Sequence, residues 1–349
     1  MFIDDFTIVI GMGFQMKKIL ILGFSVTADK KGYATFIKSR LESEQIAEVD
    51  VIGLGGIHPI DLVYLYNSIV IKEYDFIVLD VSTSAFRDFV KDKKDITFTF
   101  FALAAKTLLH GALPLFINLW KEDVDAVKDF SLKAIDRLGK QMGFPVINIA
   151  KLIKKQDHAL FFKDVVHPTE KGTDFYVDKV YKFLLEHMND RIFTQNLDFK
   201  RLNLVSNLYS IPAEKLISGK NKQNFQRSGL SCEIVQIESK DGVVRLDYDV
   251  GHPLVRVAGL AGPRTSGLWV YDGTGKQYLS FYDEYCYYDR LLVRRLSRLG
   301  HGTLSVLLDT EIPNIKLQKG DKNEGPRLGG IGYFCFEKTP MAELIRKYK

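Results

Sequence analysis

Between residues 17 and 188 the chain alternates two kinds of segment. Short runs that are apolar at nearly every position, KILILGF (18–24), VDVIGL (49–54), YDFIVLDV (74–81), ALPLFINLW (112–120) and FPVINIA (144–150), have the length and pattern of buried strands. Between them, Tyr33, Phe36, Ile37 and Leu41 recur at helical spacing, as do Leu62, Leu65, Tyr66, Ile69 and Val70 after Pro59. FFALAAKTLL (100–109), DAVKDFSLKAIDRLGKQMG (125–143, closed by Gly143) and DFYVDKVYKFLLEH (174–187) complete the helices. Strands alternating with helices predict an α/β fold, a parallel sheet with helices on both faces. Sites in such sheets lie at the carboxyl ends of the strands.

Past residue 190 the texture changes. NKQNFQRSG (221–229) is a polar break, and then come SCEIVQIES, GVVRLDYDV, LVRVAGL, GLWVYDG, QYLSFYD, GTLSVLLD and IGYFCFE. These short β-rich runs, separated by Gly, Asp and Asn turns, predict an antiparallel β-sandwich or jelly roll. DGTGK (272–276) marks a hairpin. The expected division is an N-terminal extension over 1–15, an α/β domain over 16–190, a linker over 191–228 and a β-sandwich domain over 229–349.

Composition narrows the classes. A chain of 349 residues that is 46% apolar suits two domains with sizeable cores. The net charge of +5 comes from scattered lysines, so no nucleic-acid partner is expected, and KDKK (91–94) reads as a solvated loop. Cys232, Cys286 and Cys335 form no CxxC pair, which argues against a thiolate zinc site and a disulfide framework and fits a reducing compartment. His187 and His301 show no metal spacing, and no metal is expected. No run of about 18 apolar residues spans a bilayer, and the first residues are acidic rather than signal-like, so the expected location is cytoplasmic. The early Gly-x-Gly in VIGMGFQM lacks the third glycine of a dinucleotide site, and no Gly-x-Ser-x-Gly elbow is present.

Candidate chemistry begins at GFSVTA, where the first strand ends on Ser25. Alone, this serine reads as a helix cap before it reads as a nucleophile. FFKDVVHPTEKG (161–172) changes the picture, because Asp164 stands three residues before His167 in the loop ahead of the last helix. One short loop can then present both groups. The aspartate accepts from one imidazole nitrogen and fixes the tautomer, while the other nitrogen faces a serine. Pro168 stiffens the turn and Thr169 caps the helix. Asp80 and Thr83, at the end of the third strand, are expected to line the same cleft.

This combination resembles the SGNH (GDSL-like) hydrolase family over about residues 17–188. The first block keeps Gly23, Ser25 and Thr27 but has Phe24 for the family aspartate. IGLGGIHP offers Gly55 and Gly56, of which Gly56 fits the family spacing, and Asp164 with His167 matches the fifth block. The third-block asparagine is missing from LDVSTSAF, and Ser84 stands at its position. The resemblance implies a three-layer α/β/α domain and serine catalysis without a cofactor. Ser25 would be nucleophile, His167 base and Asp164 its orienting partner. The N–H groups of Ser25 and Gly56, with the Ser84 hydroxyl, would form the oxyanion hole. Glycan-modifying relatives often append a β-domain, which implies an acylated glycan substrate, such as an O-acetylated polysaccharide. The activity implied is that of a carbohydrate esterase, or of an O-acyltransferase fed by acetyl-CoA or another acyl donor. His58 and Trp269 are the candidate substrate contacts. His58, before Pro59, equally suits a helix boundary, and Trp269, in the aromatic stretch 268–290, equally suits a sandwich core. The rival reading is a catalytically degenerate glycan-binding or assembly protein, motivated by Phe24 and the missing asparagine.

Overall fold

The computed structural model describes residues 16–84, 92–122, 124–190, 198–248, 251–272, 275–297, 303–320 and 325–348. The expected extension over 1–15, with its Gly-x-Gly, and His301 lie outside these residues.

The continuous apolar runs form β1 (Lys17–Gly23), β2 (Ala47–Gly53), β3 (Phe76–Asp80), β4 (Leu113–Asn118) and β5 (Val146–Asn148). They make one parallel sheet in the order β2-β1-β3-β4-β5. The helices are α1 (Tyr33–Ser43), α2 (Pro59–Ile69), α3 (Lys93–Leu109), α4 (Phe130–Met142), the single turn α5 (His158–Phe161) and α6 (Glu170–His187). α1 packs with α6, while α2, α3 and α4 pack in series. Caps explain two shifted boundaries. Asp92 accepts from the Lys94 N–H and starts α3 at Lys93, ahead of the apolar run and inside KDKK. Asp129 accepts from the Leu132 N–H, so α4 begins at Phe130 rather than at residue 125. Gly143 ends α4 at φ 74°, the left-handed conformation expected of a C-terminal glycine.

After the short helix α7 (Phe199–Leu202) come β6 (Leu208–Pro212), β7 (Lys222–Arg227), β8 (Leu230–Ile237), β9 (Val244–Arg245), β10 (Leu254–Ala261), β11 (Gly267–Tyr271), β12 (Lys276–Ser280), β13 (Arg290–Arg295), β14 (Ser305–Leu308) and β15 (Gly329–Glu337), then α8 (Met341–Tyr348). An antiparallel sheet of order β13-β10-β15-β8-β7, with β6 also on β15, faces a four-stranded sheet of order β12-β11-β14-β9. Val257, Phe334 and Phe336 from the first meet Leu268, Val270 and Val306 from the second in a shared core.

The stretch expected to be a linker is a correction, because it contributes β6 and β7 to the larger sheet. In KQNFQR only Phe225 turns inward, so β7 carries almost no apolar signal. The turn that joins it to β8 is Ser228-Gly229, both with positive φ, as a type I′ hairpin requires. β13 was not anticipated either. β11 and β12 pair antiparallel on either side of the expected hairpin at 272–276, of which residues 273 and 274 lie outside the described residues.

The larger sheet is buried on both faces. One covers the sandwich core, and the other packs on the α/β domain through Phe225, Ile234, Leu260, Leu291, Val293 and Tyr333. Polar pairs cross this junction. Arg256 Nε lies 2.9 Å from Asp61 Oδ1, both almost fully buried. The Tyr64 hydroxyl donates to Glu337, and Lys106 donates to the Leu208 carbonyl at 2.9 Å. Burial pushes the Lys106 ammonium down to about 8. α8 returns to the first domain, where Tyr348 packs on Phe101 with ring centres 4.4 Å apart.

Candidate active site

Ser25 stands two residues past the end of β1, an end built for close packing. β1 stops at Gly23, opposite Asp80 of β3. A Cβ on Gly23 would meet Thr27 Oγ1 at 2.2 Å and Asp80 Cβ at 2.9 Å. Glycine at this position therefore lets the Thr27 side chain cross the strand end and donate to Asp80 Oδ2 at 2.8 Å. The Phe24 carbonyl accepts from the Ala28 N–H at 2.8 Å and closes the turn. Phe24 itself is buried in the core, so the position of the family aspartate is filled by packing. The turn thus holds Ser25 partly exposed at the carboxyl end of the sheet. Ser25 caps no helix: α1 starts at Tyr33, with Gly32 in the cap position.

Asp80 is fully buried beneath this turn rather than in the cleft, and Thr83 is buried beside it. Burial pushes the Asp80 carboxyl up to about 6, although hydrogen bonds from Thr27, Thr83 and Tyr33 favour its charge.

The second piece is the loop between α5 and α6. Thr169 caps α6, accepting from the Gly172 N–H at 3.2 Å, and its own N–H donates to the Phe161 carbonyl. Lys163 N–H donates to the His167 carbonyl at 3.0 Å. Between these ties, Asp164 Oδ1 accepts from the N–H groups of Val166 and His167 at 2.9 and 2.7 Å. The same carboxylate meets His167 Nδ1 at 2.9 and 3.0 Å. Partial burial disfavours charge on Asp164. The hydrogen bonds from His167 N–H, Val166 N–H and the imidazole outweigh it and hold the carboxyl below its usual range. A proton on Nδ1, facing the carboxylate, leaves Nε2 as an acceptor.

Ser25 and His167 line one cavity of about 240 Å³. Among the described residues no hydrogen bond joins the two side chains. Serine–histidine contacts of this kind commonly tighten when substrate is held. Leu54, Gly55 and Ile57 form its floor, and Phe225, Arg227, Ser228, Tyr288 and Arg290 of the β-domain form the facing wall. A broader groove of about 920 Å³ opens beside it, sharing Ala28, Asp29 and residues 227, 228 and 230. The hairpin 227–230 is clamped to the α/β domain. Gly53 N–H donates to the Ser228 carbonyl at 2.9 Å, and a Cβ on Gly229 would fall 1.7 Å from the Val51 carbonyl oxygen.

Other expected site residues fall elsewhere. Gly56, at φ 87°, packs against Arg290 and Leu292, while its neighbour Gly55 lines the cavity. Ser84 is buried behind the floor residue Ile57, whose carbonyl accepts from its hydroxyl at 3.5 Å, and does not itself line the cavity. His58 caps α2, with its carbonyl accepting from Asp61 and Leu62, and does not line the cavity. Trp269 lies on the outer face of the four-stranded sheet beside Tyr278 and Lys276, also outside the cavity. Its alternating neighbours Leu268 and Val270 fill the sandwich core instead. Among the described residues no cluster of His, Cys, Asp and Glu could hold a metal, and no helix is long and apolar enough to cross a membrane. The three cysteines are free and buried.

No protein-family model matches the sequence, and a search of curated proteins finds no match. Solved structures do match. A two-domain esterase active on acetylated mannans aligns with a TM-score of 0.61 at 14% identity, over 93% of this chain and 92% of its own. A structure of such an esterase co-crystallised with mannopentaose aligns over the same shares at 0.58 and 14% identity. An acetyl xylan esterase covers 47% of this chain and 98% of its own, with a TM-score of 0.40 and 18% identity. At such identity the two-domain match establishes the fold alone, a parallel-sheet α/β domain followed by a β-rich domain.

Proposed function

We propose that the protein is a serine-dependent carbohydrate esterase that removes a small acyl group, acetyl above all, from a polysaccharide. One observation carries this reading. Ser25 and His167 open on the same cavity, and Asp164 holds the other nitrogen of the imidazole. His167 Nε2 takes the Ser25 proton as Oγ attacks the ester carbonyl, and Asp164 stabilises the imidazolium that forms. Among the described residues the N–H groups of Ser25, Gly55 and Gly56 make no hydrogen bond, whereas those of Leu54 and Ile57 are engaged. The free N–H groups are the donors for the tetrahedral oxyanion. His167 then protonates the departing sugar alkoxide, and water releases the acyl group from Ser25 by the same base. If a sugar hydroxyl replaces that water, the same residues perform acyl transfer.

The size of the cavity supports a small acyl group, since it falls below the roughly 300–1,000 Å³ of sites that enclose a whole drug-sized ligand. The adjoining groove offers the glycan a path along the domain junction. The aligned mannan esterase supports an acetylated polysaccharide as the substrate class. The test is acetate release from acetylated mannan and xylan oligosaccharides and from 4-nitrophenyl acetate. Ser25→Ala is expected to lower kcat by about 10⁴-fold or more. A variant as fast as the parent overturns the assignment, and an inert parent that still binds the glycans supports the degenerate binding protein instead.

A further inference from the structure

We propose that Arg290, from the β-domain, completes the oxyanion hole, its guanidinium supplying the donor that Ser84 does not. This rests on the esterase reading above. The Ser84 hydroxyl is directed at the Ile57 carbonyl, so the position that matches the family asparagine gives the cavity no side-chain donor. Arg290 opens β13, where its backbone is fixed by pairing with Ala261 of β10. Its residue is only 5% exposed, yet it lines the cavity that holds Ser25 and His167. Nη1 lies 3.4 Å from where a Cβ on Gly56 would stand, so the guanidinium rests against the loop whose unbonded N–H groups the esterase reading assigns to the oxyanion.

Its hydrogen bonding is incomplete in an informative way. Nη2 is tied to the Asp283 carboxylate, which is itself held by the Tyr285 N–H at 2.9 Å and by Arg294 at 3.8 Å. Nε is buried without a partner, and among the described residues Nη1 makes no hydrogen bond. The rings of Tyr285 and Tyr288 flank the cation at 5.4 and 5.8 Å. The carboxylate lining the cavity, Asp29, faces Lys163 at 3.7 Å and accepts from the Lys31 N–H. Asp283 already pairs the cation, but donors left buried and unused are costly until a further acceptor meets them. The fixed fork of a guanidinium needs no reorganisation as charge develops.

In the step proposed, the Ser25 Oγ–carbon bond forms, the Ser25 proton passes to His167, and the carbonyl π electrons move to oxygen. That oxygen accepts from Arg290 and from the backbone donors. On collapse the electron pair returns, the bond to the sugar oxygen breaks, and the alkoxide takes the proton from His167. The competing role for Arg290 is a ground-state contact with a carboxylate on an acidic glycan.

Kinetics on 4-nitrophenyl acetate, which carries no carboxylate, separate the two. Arg290→Met is expected to lower kcat by about 10²–10³-fold with KM changed by less than about threefold. Inhibition by an alkyl boronic acid, whose tetrahedral adduct on Ser25 bears the charge, should weaken by a comparable factor. Arg290→Lys should recover part of both losses. Asp283→Asn, which leaves the guanidinium in place but unties it, should give a smaller kcat loss, and this variant carries the test if Arg290→Met fails to fold by circular dichroism. Unchanged kcat and boronate inhibition in folded Arg290 variants, or losses confined to acidic glycans, would overturn the proposal. A Ser25→Ala variant as active as the parent would instead overturn the esterase reading.

Discussion

On one side of the cavity Ser25 stands on the turn after β1 and His167 on the loop between α5 and α6, both in the α/β domain. On the other, Arg227, Tyr288 and Arg290 stand in or beside strands of a sheet. The first wall is held by hydrogen bonds between near neighbours in sequence, as in the Asp164–Val166–His167 loop. The second is held by packing between parts of the chain some two hundred residues apart, as where the Ser228 carbonyl meets Gly53 N–H. A short loop can aim an imidazole, but only a docked domain can close a pocket over it. The β-domain is therefore part of the site's architecture, not a detachable module.

The sharpest way to break the first wall alone is His167→Ala. It removes the proposed base and is expected to lower kcat by about 10⁴-fold or more, with the melting temperature little changed, since among the described residues the imidazole's hydrogen-bond partner is the exposed Asp164. The domain junction is tested next by Arg256→Ala. It leaves the buried Asp61 carboxylate with Arg295 at 3.9 Å as its remaining cation and should cost about 3 kcal/mol in urea unfolding. If the junction is as rigid as its packing implies, activity falls along with stability.

Asp80 lies under the first wall and sets a pH dependence. Its native carboxyl keeps the proton to about pH 6, whereas the unfolded chain releases it near 3.8. Unfolding in that window releases a proton, so this group lowers stability as pH rises through it, by roughly 3 kcal/mol in all. Asp80→Asn should remove that component, seen as a flatter stability curve between pH 4 and 6 than the parent's. Gly229→Ala has the smallest expected effect. It combines a strained φ of 81° with a clash on the Val51 carbonyl, and should cost about 1–3 kcal/mol and raise KM for glycans by loosening the hairpin.

The first wall was largely legible in the sequence. Strands of a parallel sheet buried on both faces read as unbroken apolar runs, and Asp-x-x-His is a local device whose partners lie three residues apart. The second wall was not, because its signals are long-range. KQNFQR shows one inward apolar residue in six and reads as polar linker, yet its hairpin docks beside Ser25. Arg290 sits in YYDRLLVRR, where nothing local says that it will face Gly56. Trp269, open in the sequence between a substrate contact and a sandwich core, is put by strand alternation on the outer face of the smaller sheet, in neither the core nor the cavity. Ser84 and Gly56 were placed by spacing alone, and spacing does not say where a hydroxyl points or which of two adjacent glycines faces the cavity.

Reaction with a fluorophosphonate, followed by intact mass and peptide mapping, tests the nucleophile most directly. The triad predicts one equivalent of label on Ser25, absent in Ser25→Ala and formed far more slowly in His167→Ala. An active esterase that takes no label, or that takes it on another residue, would contradict it.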